Sequence, residues 1–282
     1  MDKRENLYTV QSEPRLRWDG LDTLRGADLV SMMLYHAAWD LVYVFGIPWA
    51  WYGSYGAYLW QQSICWTFLL LSGYCFHLGH RRLRRGLLVS GSGALVSAAM
   101  LLFMPENRVF WGVLSLLGAA VLVTISLDKY FQKIPAPAGA AGSFLLFLLT
   151  RDVPGHTLGL GWLVVQFPGV ASRSDMASLA AALSLRLPDW LYRNDWTAVL
   201  GFPHAGFYST DYFPLLPWLF LFWTGYFLYR LRPPAALPFA HLRLPVLTAL
   251  GRWSLPVYLL HQPVIYGILT VWDVLRRGGA AL

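Results

Sequence analysis

An apolar stretch near the N-terminus, residues 21–43, carries the ionisable side chains of Arg25, Asp28, His36 and Asp40. Ionisable groups cost free energy inside a bilayer and usually serve a function there. A neutral imidazole at that depth could act as a general base on an amine or hydroxyl, or as a nucleophile. Asp40, one helical turn further on, could hydrogen-bond the His36 ring and stabilise its charged form. A polar pair that only joins helices is the structural alternative.

A helix would place these groups on one stripe. At about 100° per residue, Arg25 and His36 differ by about 20°, and Asp22 and Asp40 lie within about 40° of His36. Arg25 should lie near a membrane surface, and His36 roughly 16 Å deeper. We interpret the stripe as one wall of an active site. Arg25 could bind a phosphate through its planar guanidinium, or could be an interfacial anchor or a salt-bridge partner of Asp22.

A second group of candidates lies near the C-terminus. Ser254, Tyr258 and His261 are spaced so that they share one helix face. Pro263 cannot donate to the Leu259 carbonyl, so it should kink the helix and leave a free acceptor beside His261. Both a structural histidine bonded to that carbonyl and a catalytic or substrate-binding histidine remain open.

Other polar candidates lie at the ends of apolar runs. Asp211 precedes such a run and could bind an amine or hydroxyl, or could cap the N-terminus of that helix. A basic block containing Arg81 and Arg82 could steer an anionic cofactor, although the orientation of the chain in the membrane explains it more simply. His77 and His80 have no acidic or cysteine partner nearby in the sequence, so we predict no metal site.

The composition places these residues in a membrane protein. Of 282 residues, 56% are hydrophobic and 13% charged, with a mean hydropathy of +0.45, whereas soluble proteins carry about 25% charged residues. We predict an all-α polytopic transmembrane helix bundle. The net charge of +7 follows from bases at the ends of spans, so we expect no nucleic-acid partner. Cys65 and Cys75, about 15 Å apart on one span, are too distant for a disulfide.

Apolar runs predict about seven spans, with an eighth left open: 24–46, 57–79, 86–104, 109–127, 137–150, 212–230 and 250–272. The segment 1–20 is basic, which predicts a cytoplasmic N-terminus, and it shows no cleaved signal. Residues 21–275 form a single predicted membrane domain. Within it, prolines and charges break up an outer-face region at about 151–211, where we expect interfacial or re-entrant helices. A tail follows at 276–282.

Three stretches resemble a known family. LDTLRG at 21–26 and a histidine eleven positions after Arg25 resemble the first helix of the membrane-bound acyltransferase superfamily. HAAWDLVY at 36–43 is similar to the bacterial branch related to heparan-alpha-glucosaminide N-acetyltransferase. The stretches 209–230 and 251–269 extend the resemblance over nearly the whole chain, and the second of them resembles the closing signature of the superfamily.

The resemblance implies an enzyme of the bacterial inner membrane. An acyl group, expected to be acetyl, would move from cytosolic acyl-CoA to an amino sugar or another saccharide, without a metal. The last span would form the wall opposite the first. The implied site residues are catalytic His36, Asp40 and His261, donor-binding Arg25, Arg81 and Arg82, and acceptor-binding Asp211 and Tyr258.

The sequence leaves some alternatives open. Members of the family commonly carry a histidine in the fourth span where this chain has Ser115, so the choice of acceptor could differ. A transporter could use the His/Asp stripe as a proton path, although no internal repeat is visible. In a scaffold subunit the stripe would only join helices. The acceptor, the acyl length, the order of steps and a homodimer are also left open.

Overall fold

The computed structural model describes residues 17–166 and 173–278, which are mostly helical. The remaining parts of the predicted N-terminal segment, outer-face region and C-terminal tail lie outside the described residues. In chain order the helices and strands are α1 (Asp19–Trp39), a π-helical turn (Asp40–Val44), α2 (Tyr55–Tyr74), α3 (Arg82–Phe103), α4 (Val113–Phe131), α5 (Ala136–Leu149), β1 (Thr157–Gly159), α6 (Gly161–Gln166), α7 (Arg173–Ala182), β2 (Ser184–Arg186), α8 (Asp195–Leu200), α9 (Leu215–Leu231), α10 (Pro245–Arg252) and α11 (Ser254–Gly278). Short 3₁₀ turns lie at Ala50–Gly53, Pro105–Asn107, Val153–Gly155, Asp189–Leu191 and Pro234–Ala236.

The longer helices overlap the seven predicted spans. Three of them, α3, α4 and α11, are long and apolar enough to cross a membrane. At about 1.5 Å per residue, the 14 residues of α5 extend only about 21 Å, less than the roughly 30 Å hydrocarbon core. The number of spans and the cytoplasmic N-terminus stay predictions. "Inner" and "outer" below refer to that predicted orientation.

The boundaries of the first and last spans differ from the prediction at their inner ends. α1 begins at Asp19, five residues before the predicted span. The Gly20 N–H donates to the Ala240 carbonyl at 3.0 Å, which anchors this polar first turn. The last predicted span is two helices, because α10 ends at Arg252 and α11 begins at Ser254. Tertiary contacts, rather than apolar composition, therefore set these ends.

The core lies where α9 meets α2, α4 and α5. Phe222 and Tyr226 of α9 are fully buried there. A Cβ on Gly73 of α2 would lie 1.9 Å from the Phe222 carbonyl oxygen, and one on Gly225 of α9 would lie 2.1 Å from the Leu70 carbonyl oxygen. Small residues let helix backbones approach closely in a membrane. These two glycines therefore set the distance between α2 and α9.

We expect Gly73→Ala to destabilise the protein by about 3 kcal/mol, because the added methyl group must push α9 away from α2. The measurement is the thermal midpoint in detergent. Gly91→Ala is the matched control, because a Cβ on Gly91 of α3 meets nothing within 4 Å. That change should be neutral, or stabilising by up to about 1 kcal/mol. Equal midpoints for the two variants would contradict the close packing of α2 and α9.

Two loops at the outer end of the bundle are joined by backbone hydrogen bonds. The Thr210 N–H donates to the Arg108 carbonyl at 3.1 Å, and the Phe213 N–H donates to the Trp111 carbonyl at 3.0 Å. This pairing fixes the position of Asp211 between them. Nearby, β1 and β2 pair antiparallel, with Leu158 opposite Leu185. The described residues are therefore not all-α as predicted, because they include a small two-stranded sheet.

Candidate active site

Five of the predicted site residues line one cavity of about 1240 Å³. They come from separate parts of the chain: His36 and Asp40 from α1 and its π-helical turn, Tyr258 and His261 from α11, and Asp211 from the loop before α9. The rest of the lining is largely apolar and aromatic. The fold thus brings five of the eight predicted site residues to one cavity.

The centre of this site is a pair of histidines. The ring centroids of His36 and His261 are 5.0 Å apart. His261 Nδ1 lies 2.5 Å from the Tyr258 carbonyl oxygen, and because a carbonyl only accepts, Nδ1 carries the proton. The lone pair is therefore on Nε2, which is buried and has no hydrogen-bond partner in the described structure. Of the two alternatives left open for His261, the bond to the Leu259 carbonyl is not the one formed, because the ring bonds to the Tyr258 carbonyl instead.

Asp40 pairs with α11 and not with His36. Its side chain, 1% exposed, accepts hydrogen bonds of 2.9 and 3.1 Å from Gln262 Nε2. α11 lies against α1 and presents His261 and Gln262 to His36 and Asp40. Contact between the helices therefore replaces the predicted hydrogen bond within α1. The His36 ring forms no hydrogen bond to any described residue, so its nitrogens are available to a bound molecule.

Arg25 lies outside the cavity, in a network at the inner end. Its guanidinium pairs with Asp22 at 2.9 Å, donates to the Gly251 carbonyl at 3.4 Å and contacts Cys75 Sγ at 3.1 Å. The alternative of a salt bridge with Asp22 is thus observed. Asp28 is the innermost α1 residue of the cavity lining, one helical turn or about 4.5 Å along the axis from Arg25.

The other two donor-binding candidates also lie outside the main cavity. Arg82 pairs with Asp128 at 3.2 Å and lies over the Phe76 ring at 4.6 Å. It lines a second, inner cavity of about 400 Å³ together with His77. Arg81 is exposed and precedes the first turn of α3. The structure therefore gathers the catalytic and acceptor-binding candidates but leaves the three arginines at the inner face.

Asp211 caps a different helix from the one predicted. Its Oδ2 accepts a hydrogen bond from the Val113 N–H at 3.2 Å, at the start of α4 and not of α9. The paired loops carry the carboxylate across to that helix. Burial raises the pKa of Asp211 to about 6, although the Val113 N–H acts in the opposite direction.

Asp211→Asn should stabilise the protein at pH 7.5 by about 1 to 2 kcal/mol. The pKa of Asp211 is raised from 3.8 to about 6 on folding, so the folded state favours the protonated form. Its contribution to stability is present below pH 3.8 and is lost as the pH rises through about 6. An asparagine oxygen still accepts from Val113 and does not titrate. Thermal midpoints at pH 4 and 7.5 measure the effect, which should vanish at pH 4.

The control is Glu106→Gln, at an exposed acidic residue on the same outer side. It should shift the midpoint by the same small amount at both pH values. A gain for Asp211→Asn that is equally large at pH 4 would mean that ionisation of the buried carboxylate is not its cause.

Sequence reasoning missed Arg151 as a residue of the site. It follows α5 and lines the cavity, where its guanidinium bonds to Gln62 Oε1, contacts the Tyr58 hydroxyl at 3.4 Å and lies 4.6 Å from the Trp218 ring centroid. In a sequence, an arginine directly after an apolar run indicates an anchor at the membrane interface. Only the packing of α2 and α9 around it places it in the site.

Ser115, which stands where the family commonly has a histidine, packs between two helices. A Cβ on Gly93 of α3 would lie 2.6 Å from Ser115 Oγ, so the hydroxyl packs at the contact between α3 and α4. Ser115 is not part of the cavity lining. In this structure, the departure from the family pattern therefore concerns helix packing and not the wall of the site.

A family model described as "Heparan-alpha-glucosaminide N-acetyltransferase, catalytic" matches residues 17–175 and 156–263, most of the chain. The chain belongs to this family. No curated protein and no solved structure matches it.

Membership of the heparan-alpha-glucosaminide N-acetyltransferase catalytic family indicates a membrane acetyltransferase. The apolar helices α3, α4 and α11 agree with a membrane location. The matched ranges include every predicted site residue, from Arg25 to His261. The family therefore covers both walls of the cavity that holds the histidine pair.

Proposed function

We propose that the protein is an integral membrane enzyme that transfers an acetyl group from acetyl-CoA to an amino sugar or another saccharide. The observation that carries the proposal is the pair of histidines, 5.0 Å apart, in the wall of a large cavity of a chain from an acetyltransferase family. A bacterial inner membrane is the location that the resemblance of the sequence implies.

His36 is the proposed general base. Its ring has no protein hydrogen bond among the described residues and lines the cavity. As the acceptor nitrogen or oxygen attacks the thioester carbonyl carbon, His36 takes the proton of that nitrogen or oxygen. The new C–N or C–O bond forms, the C–S bond breaks, and the leaving thiolate takes the proton from the imidazolium. Free CoA and the acetylated saccharide are the products.

A covalent route uses the same residue. His36 would attack the thioester first and carry the acetyl group as an acyl-enzyme, and the acceptor would then take it. The two routes differ in one measurable respect. An acyl-enzyme releases one equivalent of thiol without acceptor, whereas direct transfer needs both substrates.

The acceptor is proposed to enter from the outer end, where Asp211 and Arg151 line the cavity. The donor is proposed to approach from the inner face, where its phosphates would meet Arg81 and neighbouring bases. Between the inner face and Asp28 of the cavity lining lies one turn of α1, which carries the Arg25–Asp22 ion pair. The acyl arm of the donor must pass this turn to reach His36.

Thiol release from acetyl-CoA by detergent-purified protein tests the proposal, with and without a panel of amino sugars. Acceptor-dependent release is the expected result. Protein that stays folded but neither binds nor cleaves any acyl-CoA would overturn it. The proton-coupled permease would then be tested by uptake that depends on a pH gradient and cleaves no thioester.

A further inference from the structure

The cavity has one wall that the transfer reaction does not use. This part of the lining consists of Val96, Ala99 and Met100 of α3 and of Pro263 and Tyr266 of α11. None of these five residues is acidic or basic. The cavity therefore has a polar side around His36 and an apolar side between two helices.

The two helices of this apolar side have few contacts with each other. α3 packs mainly on α4, and α11 mainly on α1. Within residues 17–166 and 173–278, no hydrogen bond, ion pair or ring contact joins α3 to α11. Tyr266 lines the cavity and is 42% exposed. We take its ring to mark the rim between the cavity and the surface.

This rim lies at the depth of the lipid chains. Tyr266 is the middle residue of α11, Ser254–Gly278, and lies roughly 18 Å along the axis from either end. The exposed surfaces of both helices carry apolar side chains: Leu95 of α3 and Ile268 of α11 are each more than 60% exposed. The surroundings of the rim are hydrocarbon rather than water.

We propose that the acceptor is a lipid-linked saccharide, whose hydrocarbon chain leaves the cavity between α3 and α11. This inference rests on the proposed acetyl transfer. The chain would cover the apolar wall at Met100 and Pro263, and the sugar would lie beside His36 and His261. Covering that wall with hydrocarbon removes apolar surface from water, which a free sugar cannot do. Met100 has an unbranched, flexible side chain that can adapt to a passing chain.

The test compares two acceptors in lipid nanodiscs with acetyl-CoA as donor: dodecyl glucosaminide and free glucosamine. The measured quantity is the ratio of kcat/KM for the first to that for the second. Met100→Trp fills the apolar side and should lower this ratio at least fivefold. Leu95→Trp is the matched control, because Leu95 is on the same helix and 65% exposed, outside the cavity lining. Leu95→Trp should leave the ratio as in wild type. Any increase in the ratio because dodecyl glucosaminide partitions into the membrane is the same in both proteins.

Several results would overturn the proposal. One is a kcat/KM ratio near 1 in wild type. Another is an unchanged ratio in Met100→Trp, and a third is a ratio that Leu95→Trp lowers as much as Met100→Trp does. If neither acceptor supports thiol release, the proposed acetyl transfer itself is contradicted. The binding of a lipid-linked saccharide is then tested separately by photolabelling. Dodecyl glucosaminide with a photoreactive group on its sugar should label the peptides around His36 and His261 in wild type and Leu95→Trp but not in Met100→Trp. Equal labelling of all three proteins would overturn the opening between α3 and α11.

Discussion

Replacing His36 with alanine is expected to lower thiol release from acetyl-CoA by at least about 10³-fold. The reason is that the variant lacks the proposed general base, which takes the proton from the attacking saccharide. The protein should stay folded, since the His36 ring forms no hydrogen bond to any described residue and borders open space. The measurement is acceptor-dependent thiol release by purified wild type and variant, with the thermal midpoint measured on the same samples.

His77→Ala is the matched control for the loss of an imidazole. His77 stacks on Tyr229 with ring centroids 4.6 Å apart and lies outside the main cavity. Its removal should leave acceptor-dependent release within a few-fold of wild type. His36→Ala protein that releases thiol as fast as wild type would rule out the base and the nucleophile together. A lower thermal midpoint with unchanged activity would instead support a polar pair that joins α1 to α11.

The second large effect is expected at His261. Substitution by asparagine or by glutamine tests the roles of its two ring nitrogens separately. Asparagine can keep a donor for the Tyr258 carbonyl, which is now 2.5 Å from Nδ1, but it loses Nε2. Glutamine can place an acceptor near the Nε2 position. If Nε2 positions the acceptor or His36 by accepting a hydrogen bond, His261→Asn should lower kcat/KM by about 10² to 10³-fold and His261→Gln by about tenfold.

The same pair of variants separates the alternatives that the sequence left open for His261. Wild-type activity in His261→Asn would mean that the bond to Tyr258 is the whole role of the residue. Equal and large losses in both variants would indicate proton transfer by Nε2 itself. Thermal midpoints accompany both assays, because a buried polar group without a partner costs about 1 to 3 kcal/mol and either substitution changes that cost.

Much of this protein could be predicted from local patterns. Apolar runs longer than about 18 residues mark membrane helices because each backbone polar group must be bonded within the span. A histidine and two carboxylates inside one such run are costly enough to indicate function. The order of His36 and Asp40 along α1 and its π-helical turn, and of Tyr258 and His261 along α11, follows from helical periodicity alone. All four line the same cavity.

The partners of these residues could not be predicted in the same way. Asp40 binds Gln262, Asp211 caps α4, and Arg151 lies in the cavity. Each of these contacts joins segments that are far apart in the sequence. Helical spacing says which face of a helix a side chain occupies, but it does not say which helix faces it or at what height.

By itself, then, the sequence determined the family, the helical membrane architecture and the residues of the two walls, because periodicity and the cost of buried charge act within a single helix. Only the tertiary structure decided that the histidines lie side by side, that the inner arginines are outside the cavity, and that one wall is apolar between α3 and α11. Those features depend on the rotation and height of one helix against another. Close contacts such as Gly73 on Phe222 fix that packing, and no spacing within one helix encodes it.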